Sequence, residues 1–184
     1  MPQMTLPDSS LLTPALRAYR EQLILDHFAG EVSQQFDHVL STFPHPRYEL
    51  IPTGVVHDGR EDVMHYYLDT RKAFPDQRHE MIQLRHSEDA VICEFWLLGT
   101  YLGSLGNVPP TGQKFRVRMT AFFIFEGETL VCERIYFDVL SMLRQLLGGF
   151  NLSNPVDLYR FGKTLVAMLR QARSFKQPDM ERIQ

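Results

Sequence analysis

The chain has 184 residues, 44% of them hydrophobic and 22% charged, with a formal net charge of -3. That balance describes one ordinary globular domain and excludes a disordered, fibrous or polybasic nucleic-acid-binding chain. No apolar run approaches the roughly 20 residues that cross a bilayer, and no basic segment followed by an apolar one marks a secretory leader. Cys93 and Cys132 both lie in apolar strand patterns, where buried reduced thiols are expected and no disulfide framework can form. The expected setting is cytoplasmic, with neither membrane nor nucleic acid as partner. Charge is uneven along the chain, because residues 155–176 carry Arg160, Lys163, Arg170, Arg173 and Lys176 against Asp157 alone.

Residues 1–13 are polar, contain Pro2 and Pro7, and are read as a loose segment. Thr13-Pro14 has the form of a helix N-cap followed by a first-turn proline. Leu16, Tyr19, Leu23, Leu25 and Phe28 then recur at helical spacing up to Gly30. A second helix is expected over about 32–42, ended by Pro44 and Pro46. Tyr48–Ile51 reads as a short strand, His57-Asp58-Gly59 as a turn, and Arg60–Ala73 as a third helix broken by Phe74-Pro75-Asp76. Strands follow over Arg78–His86 and Ala90–Tyr101, then a hairpin of Phe115–Phe125 and Leu130–Phe137. A short helix begins after Asp138, residues 151–155 form a linker, and Val156–Phe175 is expected as a basic C-terminal helix. Helices followed by antiparallel strands indicate an α+β domain over 1–154 with a helical extension over 155–184.

The hairpin carries the candidate chemistry. Gly127-Glu128 suits a two-residue turn with glycine first, since glycine accepts positive φ without a Cβ clash. In that register Phe125 faces Leu130, Met119 faces Tyr136 and Val117 faces Asp138. Alternation then sets Arg134, Tyr136 and Asp138 on the apolar face of Met119 and Phe123. A three-residue turn would reverse the facing. An acid on such a wall has its pKa raised by burial, which suits a group that takes and returns a proton near neutrality. Asp138 and Tyr136 are therefore the candidate catalytic pair, and Arg134 would oppose the rise. The competing reading is that Asp138 only caps the helix starting at Val139.

Other residues carry weaker signals. Glu94 suits a cross-strand ion pair with Arg116 or Arg118, and Trp96 suits a ligand roof or an interface. Histidines 38, 45, 57, 65, 79 and 86 form no H-E-x-x-H pattern, so no metal is expected. Gly99, Gly103 and Gly106 lack the spacing and following helix of a phosphate loop, and no G-x-S-x-G nucleophile motif occurs.

The segment GTYLGSLGNVPPTGQKF (99–115) resembles the G-T-H-x-G … P-P-T-G-[RK] segment of SnoaL-like polyketide cyclases and predicted ester cyclases. Phe74-Pro75-Asp76, the F-x-F-E-G run at 123–127, Glu133-Arg134-Ile135-Tyr136-Phe137-Asp138 and the later RQLLGG also fit. The resemblance covers roughly residues 16–150. It implies the nuclear-transport-factor-2-like fold: a bent antiparallel sheet wrapped around helices as a cone, enclosing an apolar pocket and pairing as a homodimer. In that family an aspartate serves as acid and base in an aldol ring closure without cofactor or metal, and the matching candidate is Asp138. Tyr101 replaces the motif's histidine, and the strand of Thr120 and Ala121 lacks the acid of the family's D-I-F-R-F segment.

The resulting expectation is a cofactor-free acid–base enzyme closing or isomerising a carbonyl compound, with a hydrophobic small molecule as partner. Tyr101, Phe123, Met119, Arg134 and Tyr67 are the candidate substrate-binding residues. The aromatics Phe36, Phe43, Tyr66 and Phe95 are also available to shape a pocket. The alternatives are a non-catalytic binding or dimerisation module of the same fold, and a limonene-type epoxide hydrolase drawing on Arg118, Asp138 and Glu94.

Overall fold

In the computed structural model, residues 12–105, 108–149, 153–159, 161–163 and 166 are described. Helix α1 (Pro14–Val32) is capped by Thr13, whose Oγ1 accepts from the Leu16 amide at 3.2 Å. It runs past the expected stop at Gly30. That glycine admits α2 (Phe36–Ser41) to close contact, since a Cβ there would lie 2.7 Å from Val39 Cγ2. The turn between the helices passes through Gln34 at φ 59°, which leaves α2 shorter than expected. Strand β1 (Arg47–Leu50) pairs with β2 (Val55–Asp58), a strand that sequence reading takes for a turn. Then come α3 (Arg60–Ala73), β3 (Arg78–His86), β4 (Ala90–Thr100), β5 (Lys114–Glu126), β6 (Thr129–Phe137) and α4 (Val139–Leu146).

The six strands form one curved sheet in the order β2-β1-β6-β5-β4-β3. All neighbours are antiparallel except β1 and β6, which run parallel, so the sheet is mixed where a wholly antiparallel one is expected. Helices α1–α3 fill its concave face. The core there includes Ile24, Phe28, Val39, Leu40, Phe95, Ala121 and Phe123. Two hairpin turns are tied to α1 by Arg20, whose guanidinium donates to Gly127 O at 2.7 and 3.0 Å and to Glu88 O at 2.7 Å. Residues 155–159, 161–163 and 166 are helical, and the rest of the expected Val156–Phe175 helix lies outside the described residues, as does most of the N-terminal segment.

The β5–β6 register decides the site. Gly127 sits at φ 62° and Phe125 does face Leu130, as the two-residue turn requires. Immediately beyond, Ile124 pairs with Cys132, so Val131 is an extra residue on β6. This bulge shifts the register by one, and a one-residue shift moves every following side chain to the other face. Met119 now faces Phe137 rather than Tyr136, and Phe123 faces Glu133. Glu133 and Ile135 turn into the core, while Arg134 and Tyr136 turn outward.

Candidate active site

Tyr48 of β1 lies beside Glu133 of β6 on the inner face, and α1 and α3 close over them. Together they bury a polar cluster in an aromatic surround: His27 and Glu31 one helical turn apart on α1, Tyr48, Tyr67 on α3, His79 on β3, and Glu133. Phe43 and Phe123 pack edge-on against the His27 ring at 5.7 and 5.5 Å, and Phe36 stacks on Tyr67 at 4.9 Å. Buried polar groups must be paired, and the pairing is nearly complete.

Hydrogen-bond directions assign the protons. Tyr67 donates to Glu31 Oε1 at 2.9 Å, so its oxygen is left to accept from the Tyr48 hydroxyl. The Tyr48 oxygen in turn accepts from His27 Nε2 at 2.8 Å. On the far side of the ring, Thr42 spends its hydroxyl proton on Val39 O at 2.6 Å and accepts from His27 Nδ1 at 3.1 Å. Both ring nitrogens thus carry protons, and His27 is an imidazolium. Burial opposes that charge, but Glu133 and Glu31 outweigh it and raise the His27 pKa to about 9.

The two carboxylates differ in kind. Burial disfavours ionisation of Glu31, yet the contacts of His27, His79 and Tyr67 hold its pKa down to about 2. Glu133 is raised, first by burial and then by the charge of Glu31, against the pull of His27 and Tyr48. One imidazolium faces two carboxylates in a dry interior, and burial together with the charge of Glu31 makes Glu133 the one of the pair that takes up a proton more readily. Glu133 Oε2 has no hydrogen-bond partner and lies 3.4 Å from His27 Nε2.

A cavity of about 40 Å³ opens onto this cluster. Glu31, Tyr48, Tyr66, Tyr67, His79 and Glu133 form its polar wall, against Phe28, Phe95, Leu97, Met119 and Ile135. The ligating atoms of His27, Glu31 and Glu133 lie within 4.8 Å of one another, close enough to hold a metal ion. The hydrogen bonds of His27, however, leave its Nε2 without a lone pair for a metal, so the donor set as arranged suits proton transfer rather than coordination.

Of the sequence candidates, Met119 and Tyr67 line the cavity, and Phe123 packs behind it against His27 and Phe28. Asp138 does not reach it. Displaced by the bulge, it lies exposed at the N-terminus of α4, where Oδ1 accepts from the Leu140 and Ser141 amides at 3.0 and 3.1 Å. Those bonds, with Ser141 Oγ foremost, hold its pKa down rather than up. Tyr136 is 40% exposed and packs on Phe122 of the outer face. Arg134 is also on that face, with Nε 2.6 Å from Glu49 Oε2. Tyr101 is buried away from the cavity, donating to Val108 O at 2.6 Å and accepting from the Leu105 amide at 3.3 Å. Arg118 and Glu94 pair with each other at 2.5 Å on the outer face, so the epoxide-hydrolase set is not assembled.

His27, Glu31 and Glu133 escape motif reading. A signal for the first two exists: an acid and a base at i and i+4 on the face that carries Leu23, Ile24 and Phe28.

The sequence model of the SnoaL-like polyketide cyclase family matches residues 27–146. No curated protein matches the chain. Among solved structures, a proposed SnoaL-like polyketide cyclase from Jannaschia sp. CCS1 is similar, with TM-score 0.65 and 18% identity over 77% of this chain and 97% of that one. IdmH, a proposed polyketide cyclase from Streptomyces antibioticus, gives TM-score 0.60 and 21% identity over 69% and 97%. AclR, a proposed hydroxylase from Streptomyces galilaeus, gives 0.60 and 21% over 70% and 96%. At these identities the likeness establishes the fold.

Proposed function

Because the chain belongs to the SnoaL-like polyketide cyclase family, we propose that it is an acid–base enzyme acting on an enolisable carbonyl compound, with Glu133 as the proton-transfer group. The observation that carries this reading is the Glu133 carboxyl: 3% exposed, raised in pKa, one oxygen unpartnered, and set in the wall of a cavity whose other side is apolar. A raised carboxyl exchanges protons readily near neutral pH. In the proposed step the ionised Glu133 takes a proton from the carbon next to a carbonyl, the C–H pair becomes the C=C bond while the carbonyl π pair moves onto oxygen to give an enolate, and the proton later returns from Glu133. For ring closure the enolate carbon instead attacks a second carbonyl, whose oxygen receives the proton. His27 is a positioning residue, holding Glu133 beside a fixed positive charge. Nothing in this step draws on a cofactor.

Deuterium incorporation into a panel of β-keto esters and cyclic ketones tests the reading. Glu133→Gln keeps the shape and an acceptor toward His27 but cannot carry the proton, so exchange should fall at least about a hundredfold, the usual scale of general acid–base catalysis. Asp138→Asn should leave the rate unchanged. Full exchange in the Gln variant, or loss in the Asn variant, overturns the assignment. Binding without exchange in the wild type would instead mark a small-molecule-binding module of the same fold.

A further inference from the structure

The protons around His27 are held in place by a residue that does not line the cavity. Thr42 is the C-cap of α2, where its amide and its hydroxyl both donate to Val39 O, at 3.1 and 2.6 Å. A threonine hydroxyl has one proton to give and two lone pairs to offer. With the proton committed to Val39, the oxygen is an acceptor only, and it stands 3.1 Å from His27 Nδ1. Loss of the Nδ1 proton would set two lone pairs against each other at that distance. The other ring nitrogen is locked in the same way, because the Tyr48 hydroxyl facing Nε2 at 2.8 Å spends its proton on Tyr67.

The consequence reaches Glu133. The titratable groups facing His27 are Glu31 on its own helix, Glu133 on β6 and Tyr48 on β1, while Tyr67 and Arg71 on α3 and His79 on β3 contact Glu31. Of the cations among these, His27 is the one in contact with Glu133, with Nε2 3.4 Å from the unpartnered oxygen. A neutral ring would leave burial and the charge of Glu31 with less to oppose them, and Glu133 would hold its proton to higher pH.

We infer that Thr42 is a positioning residue that fixes His27 as an imidazolium and thereby sets the pH above which Glu133 is ionised and can accept a proton from carbon. The inference rests on Glu133 being the acid–base group of the site.

NMR of the whole chain carrying ¹⁵N-histidine and ¹³C-glutamate reads both protonation states with no ligand present, the signals being assigned through His27→Gln and Glu133→Gln. Thr42→Val keeps the branched shape and removes the acceptor. His27 in that variant should release its proton about one pH unit or more below the wild type, the scale of one charge-assisted hydrogen bond, and Glu133 should hold its proton to correspondingly higher pH. Thr42→Ser keeps the hydroxyl and should return both titrations to wild type. Deuterium exchange into cyclohexanone is followed over the same pH range. Its acid limb should move up with Glu133 in the Val variant, a fall in rate of about tenfold at a fixed pH below the limb, and stay in place in the Ser variant. A lowered melting temperature with unmoved titrations in Thr42→Val overturns the inference, as does a Ser variant that shifts as far as the Val one. So does a wild-type His27 ring carrying a single proton at neutral pH, whichever variants fold. Titrations that move without any exchange in the wild type would leave Thr42 its role and remove the catalytic reading; Glu133-dependent exchange with unmoved titrations would do the reverse.

Discussion

An imidazolium sealed among aromatic rings is stable only while its carboxylate partner stays ionised, and His27 with Glu31 meets that condition over a limited pH range. The His27 pKa rises from 6.5 to about 9 on folding, so its contribution is complete below 6.5 and lost as pH climbs through 9. The Glu31 pKa falls from 4.5 to about 2, so its contribution is complete above 4.5 and lost as pH drops toward 2. Glu133 is raised from 4.5, so its contribution is complete below 4.5 and is lost as pH climbs above that value. The melting temperature should therefore be highest near pH 4.5, fall as pH drops toward 2, and decline on the alkaline side with a further loss from 6.5 through 9. His27→Gln should cost roughly 3–5 kcal/mol, because it leaves buried carboxylates uncompensated, and should shrink the alkaline limb. Calorimetric scans across pH check both. A flat profile in the wild type would contradict the imidazolium assignment.

At the scale of the element, a single extra residue in β6 selects which acid faces the cavity. Val131 is half-buried and contributes modest packing, yet its looping out of the ladder turns Glu133 inward and Arg134 outward. Deleting Val131 would join Leu130 to Cys132 and make the ladder regular, with Ile124–Cys132 and Phe123–Glu133 still paired and Glu133 still facing the cavity. Arg134 would keep Glu49, and Tyr48 would keep its neighbour on β6. The deletion should therefore cost no more than about 3 kcal/mol, and Val131→Ala about 1 kcal/mol. Urea unfolding of the two variants checks both. A loss of more than about 4 kcal/mol on deletion would mean that the bulge itself, and not only the pairing beyond it, holds β6 in place.

For the whole molecule, the outer sheet face is the surface to watch. Trp96 lies there with the Arg116 guanidinium 4.0 Å from its ring and Arg118 at 5.7 Å, and the arginines are paired with Glu80 and Glu94. Aromatic and arginine side chains mark interface cores more than ordinary surface does. We propose that two copies pair through this face. Light scattering at tens of micromolar, roughly the range in which a stable interface is saturated, should give twice the chain mass, and Trp96→Asp should halve it. A monomeric wild type would overturn the pairing. Among the described residues no helix is long and apolar enough to cross a membrane.

How much of this was legible from the chain alone depends on how local each signal is. Helix α3 and strand β3 lie where their patterns place them, because 3.6- and 2-residue periodicities and the punctuation of Gly59 and Pro75 act within a few residues. The Gly127 turn was legible for the same reason, and so was the Phe125–Leu130 pair it enforces. The bulge at Val131 has no composition of its own; it follows from how β6 fits between β5 and the parallel strand β1, and a one-residue shift reverses the facing of everything beyond. Asp138, which the simple register turns inward, therefore became a helix cap, and Glu133 took its place on the wall. The family resemblance already contained Glu133, in the run that ends at Asp138, without saying which way it points. His27, Tyr48, Tyr67 and Glu133 come from four elements, and their shared protons exist only because the helices packed on the curved sheet exclude the water that would otherwise satisfy each of them separately.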